Sequence, residues 1–151
     1  PVIGTLLKEN EVRVIADTRT VADTKTIFGG NMPSACLYAS EEFITKNPNT
    51  AQALANAIVR ADKWIQANDA ETIAKTVPAT YLLGDVELYK QCLDANKEAL
   101  SPDGLVDSDG PTTALNALAA FVPNLDASKI DISKIYTNEF ADNANKKYPN
   151  V

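Results

Sequence analysis

Two short apolar alternations near the start, followed by about a hundred residues of helical periodicity, predict an α/β chain in which helices dominate, with few strands and about five helices. The alternations are Glu11-Val12-Arg13-Val14-Ile15 and the run from Ser34 to Ser40. The clearest helical signal is Asn47-Pro48 followed by Leu54, Ile58, Ala61 and Ile65. With 151 residues, 45% of them hydrophobic, the chain has the size and apolar content of one ordinary domain.

Taken in order, the segment from Val12 to Asp17 reads as a strand that delivers the loop Asp17-Thr18-Arg19-Thr20 at its carboxyl end, where ligands sit in open α/β sheets. Thr18 to Asn31 is rich in Thr, Asp and Gly and reads as a loop or crossing linker. Ser34 to Ser40 is the second strand, with Ala35, Leu37 and Ala39 on one face and Cys36 and Tyr38 on the other. Asn47 is a good N-cap, and Pro48 stands at the first helical position, where its missing N–H costs nothing. Leu54, Ile58, Ala61 and Ile65 then mark a core stripe.

A shorter helix is expected from Asp69 to about Val77, stopped by Pro78. Asp85 caps the next, in which Val86, Tyr89, Cys92, Leu93 and Leu100 define the buried face. Ser101-Pro102-Asp103-Gly104 is a turn signature, and an Asp-rich loop runs from it to Gly110. Pro111 starts a helix through Leu115, Leu118 and Val122 that Pro123 ends. The last helix is expected from about Ser133 to Lys146, with Tyr136, Phe140 and Ala144 four apart. Two strands alone leave unpaired edges. Their partners are expected N-terminal to Pro1, and the chain by itself is expected to form a homo-oligomer through those edges.

The net charge of −6 and pI near 4.6 argue against nucleic acid or an anionic membrane as partner. No apolar run approaches the roughly 20 residues that span a bilayer, and Pro1-Val2-Ile3-Gly4 lacks the basic flank of a signal peptide. The absence of histidine excludes Ser-His-Asp and Cys-His nucleophilic sites and His-bearing zinc sites within the chain. No catalytic residue, metal ligand or cofactor is assigned, and the chain is not expected to be an enzyme. Cys36 and Cys92 read as two small buried hydrophobes, with a single disulfide as the other reading.

Four polar features stand out. Arg19 offers a planar fork suited to a sulfonate or carboxylate, or else pairs on the surface with Asp17 or Asp23. Gly29-Gly30 presents bare N–H groups to an anion, or else is a loop needing positive φ. Trp64 and Tyr38 wall a cleft or pack at a rim. Asp103, Asp107 and Asp109 lack the spacing of a calcium loop and read as a solvated acidic turn.

The order and spacing of Asp17-Thr18-Arg19-Thr20, Phe28-Gly29-Gly30, Pro33 to Ser40, Asn47-Pro48, Trp64-Ile65, Ser101-Pro102-Asp103-Gly104 and Tyr136-Thr137-Asn138-Glu139-Phe140 resemble, almost from end to end, the C-terminal half of the nitrate/sulfonate/taurine-type (NMT1/THI5-like) substrate-binding proteins of ABC importers. The resemblance implies the helix-rich C-terminal portion of a type II periplasmic-binding-protein fold. Residues 1–20 would end the second lobe, 21–40 would form the hinge crossing segment and strand, and 41–151 would complete the first lobe with helices. It also implies a small anionic or zwitterionic solute (sulfonate, nitrate, taurine or pyrimidine class) held between two lobes, with Thr18, Arg19, Thr20 and Ser34 nearest the cleft. The implied partners are that small-molecule solute and the ABC permease membrane subunits. The implied location is periplasmic or extracellular and membrane-anchored, with the signal outside this sequence.

Two other readings compete. The thiamine-pyrimidine-precursor synthase of the same fold relies on a histidine and a cysteine-rich motif, and neither occurs here. A stand-alone helical protein-interaction module requires the two strands to pair with each other.

Overall fold

The structure, a computed structural model, describes residues 2–150. Eight α-helices occur among them: α1 (Val2–Lys8), α2 (Val21–Phe28), α3 (Glu41–Lys46), α4 (Pro48–Ala67), α5 (Ala70–Thr76), α6 (Val86–Asn96), α7 (Gly110–Phe121) and α8 (Glu139–Lys147). One 3-10 turn follows α5, one follows α6 and two follow α7. The helix-rich architecture expected of the C-terminal portion of this fold is what the chain adopts.

α4 is the spine. It begins with Pro48 after Asn47, and Gln52, Val59 and Lys63 all reach toward the C-terminal segment. Val59 is 2% exposed and packs with Ala141 and Ala144 of α8 and with Leu105. Ala144 is fully buried, so the two helices meet through small side chains. Polar contacts fix the register: Gln52 Nε2 donates to the Phe140 carbonyl at 2.9 Å, and Lys63 Nζ donates to the Tyr148 carbonyl at 2.6 Å. A second buried patch, Ala70, Ile73 and Ala74, lies on α5, which packs against α6. Lys90 of α6 bridges Glu71 of α5 at 2.7 Å and Glu87 of its own helix at 2.5 Å.

The turn at 101–104 follows its sequence signature closely. Ser101 Oγ accepts from the Gly104 N–H at 2.8 Å, and Asp103 Oδ1 accepts from the Leu105 N–H at 3.0 Å. Gly104 has φ of +72°, and a Cβ there would lie 2.8 Å from Val59 Cγ2. The turn therefore needs glycine twice over, for its backbone and for its approach to the core. Beyond the turn, the Asn138 amide exchanges two hydrogen bonds with the Val106 backbone, at 2.9 and 3.0 Å. This clamp sets where α8 begins. The expected start at Ser133 fails because Asp131 accepts from the Ser133 N–H and Oγ, which closes a local 3-10 turn instead.

The two expected strands are not strands. Among the described residues no ladder forms at all, and residues 12–16 and 34–39 make no hydrogen bond through their backbones. A strand is stable only when a neighbour satisfies its donors and acceptors, and the described residues supply none. The expected linker from Thr18 to Asn31 is instead largely helical, as α2. Thr20 Oγ1 accepts from the Asp23 N–H at 3.1 Å and donates to Asp23 Oδ2 at 2.7 Å, a reciprocal cap.

The expected core stripe of α4 also turns out differently. Leu54, Ile58 and Ala61 are exposed and Ile65 is half-buried, while the buried line runs through Ala51 and Val59. Ile58 and Val59 project about 100° apart around the helix. The Ala-rich face of α8 accepts the Val59 side, which leaves the Leu54 side uncovered. Cys36 is exposed rather than buried, Cys92 is half-buried, and both are free thiols.

The double constraint on Gly104 gives a measurable contrast with Gly84, whose φ is +77° but whose Cβ position is open. Gly84→Ala should cost roughly 1–2 kcal/mol from left-handed backbone alone. Gly104→Ala should cost at least about 1 kcal/mol more, because Val59 must also shift. Urea midpoints of the two variants decide it, and equal losses would remove the close approach as a constraint.

Candidate functional site

The loop 17–20 is held from both sides. Arg19 Nε lies 2.9 and 3.0 Å from the two carboxylate oxygens of Asp17, and Nη2 lies 2.5 Å from Oδ2. The Arg19 backbone N–H also donates to Asp17 Oδ1, at 3.0 Å. These bonds, the side-chain ones foremost, hold the Asp17 carboxyl down at about 2. The same pairing raises the guanidinium above its ordinary value. Among the described residues nothing bonds to Nη1, so one edge of the fork is braced and the other is free.

Thr20 spends its hydroxyl on capping α2, and the Thr18 carbonyl accepts from the buried Thr24 hydroxyl at 3.1 Å. The Thr18 side chain is exposed. Ser34 is exposed too, and no hydrogen bond among the described residues joins it to the 17–20 loop. Thr18, Arg19 and Thr20 therefore stand together by sequence, and Ser34 stands apart.

Arg19 also forms one wall of an open crevice of about 430 Å³ between α1 and α6, lined as well by Gly4, Lys8, Gln91 and Cys92. It continues into a hollow of about 480 Å³ bounded by Val2, Tyr89 and Leu100. Lys8 is paired with Asp85 at 2.8 Å, which raises the Lys8 ammonium and lowers the Asp85 carboxyl. Both cations of the crevice thus already face a carboxylate. The crevice can take an apolar or neutral polar group, and the edge of Arg19 left to an anion there is Nη1.

A second arrangement supports the crossing from α2 to α3. Gly29 caps α2 with φ of +82°, and a Cβ on Gly30 would lie 2.2 Å from Thr113 Oγ1. Asn31 Nδ2 donates to Asp107 Oδ2 at 2.6 Å, and the Asn31 N–H donates to Asp109 Oδ2 at 3.3 Å. The acidic loop is therefore more than a solvated turn: two of its carboxylates tie the crossing segment to the start of α7. Asn31 was legible only as a loop residue, since its partners lie more than seventy positions away. Among the described residues no group of His, Cys, Asp and Glu is arranged to hold a metal ion. Trp64 is half-buried on α4, and Tyr38 is exposed on the unpaired segment.

The Asp17 pairing carries a pH signature. A carboxyl depressed in the folded chain contributes stability that is complete above its unfolded value near 3.8 and is lost as pH falls through about 2. The Asp17 carboxyl carbon should titrate near 2 by NMR. In Arg19→Ala it should return toward 3.8, and an unchanged midpoint in that variant would mean that Arg19 does not hold it.

Residues 10–79 match the sequence pattern of the NMT1-like family. No curated protein matches the chain. A solved structure of a protein from Bordetella bronchiseptica RB50 is 58% identical, superposes with a TM-score of 0.97 and covers 99% of this chain. The chain spans 47% of that protein's length, about half. The 10–79 match takes in the Arg19 loop, the crossing segment, α3, α4 and α5, and over that part the chain is similar to the NMT1-like family.

Proposed function

We propose that the chain is the closing part of a solute-binding protein that serves an ABC importer. In this reading residues 1–20 end one lobe, 21–40 cross the hinge, and 41–151 complete the other lobe. A small anionic or zwitterionic solute of the sulfonate, nitrate, taurine or pyrimidine class is captured between the lobes, in the periplasm or on a membrane-anchored extracellular protein, and passed to the permease. The observation that carries the reading is the NMT1-like match over residues 10–79, which contains the 17–20 loop and the Ser34 segment.

The braced guanidinium gives Arg19 a definite part. Asp17 occupies Nε and Nη2 and fixes the plane of the fork, so the free Nη1 edge points in one direction without the loss of side-chain freedom that an unbraced arginine suffers on binding. Thr18 and Ser34 offer hydroxyls, and Thr20 contributes by holding the start of α2. No step here breaks or makes a covalent bond, so the role is binding and release.

Calorimetric titration of the complete protein that carries this chain, against a panel of sulfonates and nitrate, tests the reading. Arg19→Ala should weaken binding by roughly tenfold to a hundredfold, the loss of one charge-assisted hydrogen bond. Arg19→Lys should recover only part of it. Equal affinities across the three proteins would remove Arg19 from the site. Turnover of a pyrimidine precursor in an iron-dependent assay, with no reversible solute binding, would overturn the transport role.

A further inference from the structure

The two hollows beside α1 and α6, of about 430 and 480 Å³, share one junction. Gly4, Arg19 and Cys92 line both, and a Cβ on Gly4 would overlap Cys92 Sγ, so glycine lets α1 close on α6 and floor the junction. The charged end of Arg19 lies there: Asp17 first, and then the Cys92 sulfur, raise its guanidinium above the ordinary value. Away from the junction most of the walls are apolar. Leu7, Leu88 and Ala95 line the first hollow, and Ile3, Leu93 and Leu100 line the second.

The charges of this region cancel. Arg19 faces Asp17 and Lys8 faces Asp85, so no net field draws in a bare ion. What is left is the Nη1 edge of Arg19, a directional donor without excess charge. Nitrate would give up its hydration for that one edge. Taurine would bring an ammonium to walls whose two carboxylates are already engaged. A monoanion with an apolar body meets neither penalty, because its head takes Nη1 and its body leaves water for the leucine-lined hollow. We propose that the crevice between α1 and α6 is a binding site for an amphipathic organic monoanion, a sulfonate or carboxylate head on an alkyl or aryl body, with the head on Arg19 and the body against Leu93 and Leu100. The assignment rests on the solute-binding reading and narrows its solute class.

Calorimetric titration of the complete protein that carries this chain with methane-, butane- and hexanesulfonate, beside nitrate and taurine, tests it, together with mass-spectrometric mapping of thiol alkylation. Across the sulfonate series affinity should rise about fourfold per methylene as each CH₂ leaves water. Saturating butanesulfonate should slow alkylation of Cys92 in the crevice wall at least about tenfold and leave the exposed Cys36 unchanged. Leu93→Gln, which keeps side-chain length but makes the wall polar, should flatten the chain-length dependence while methanesulfonate binds within about twofold of the parent. Affinity that is flat across the series in the parent, or butanesulfonate binding that leaves Cys92 as reactive as before, overturns the assignment and leaves the solute-binding reading intact. So does a Leu93→Gln protein that keeps the full chain-length gain, and so does binding of nitrate or taurine with no sulfonate bound. Binding of none of the five overturns the assignment, and the broader reading falls with it only if pyrimidines also fail to bind.

Discussion

The contact between α4 and α8 at Val59 decides how the rest of the chain is placed. Val59 fills the space between Ala141, Ala144 and Leu105, and the turn that brings Leu105 there admits only glycine at position 104. Alanines at the meeting face let the helices approach closely, but they bury little apolar area, so the contact relies on polar register pins at both ends. Gln52 and Lys63 on α4 serve as those pins, and the Asn138 clamp on Val106 holds the loop between them. Once α8 takes the Val59 side, the Leu54 and Ile58 side of α4 is committed to facing outward. The uncovered stripe is thus a direct result of the packing that holds the chain together.

The elements that rest on local chemistry were legible in the sequence, and those that rest on distant partners were not. Pro48, Asp69, Asp85 and the 101–104 turn all act locally, and the structure places each where its signature stands, whereas the Asn47 side chain turns back to the Phe43 carbonyl of α3 instead of capping α4. The cap Thr20-Val21-Ala22-Asp23 was equally local and passed unread, because Thr, Asp and Gly content pointed to a loop while the four-residue spacing pointed to a helix. The Ser40 cap of α3, followed by Glu41 and Glu42, was likewise local and likewise unread. The alternation at 11–15 and 34–40 pointed to strands, and the structure leaves both segments exposed and unpaired. Whether a neighbour pairs with them is not a local property, and among the described residues none does.

The candidate site divides along the same line. That Arg19 would pair with Asp17 was one of the two readings its spacing allowed, and the structure shows that pair as a two-point brace. The position of Arg19 against α1 and α6 depends on two separate helices, and the tie from Asn31 to Asp107 and Asp109 on residues more than seventy positions away. Periodicity and capping signals carry no information at that range. The brace need not oppose ligand contact, since an arginine fixed along one edge presents the other in a defined plane.

The register pins also set an order of events during synthesis. Gln52 and the Phe140 carbonyl that receives its hydrogen bond are 88 residues apart. At a ribosomal rate of roughly 5–20 residues per second, α4 waits roughly 4–18 s before α8 exists to cover Val59. Through that interval both Val59 and the Leu54 and Ile58 stripe stand open, and only the Pro48 start and α3 before it are in place to hold the helix. The contact that covers Val59 is therefore completed only when almost the whole chain has been made.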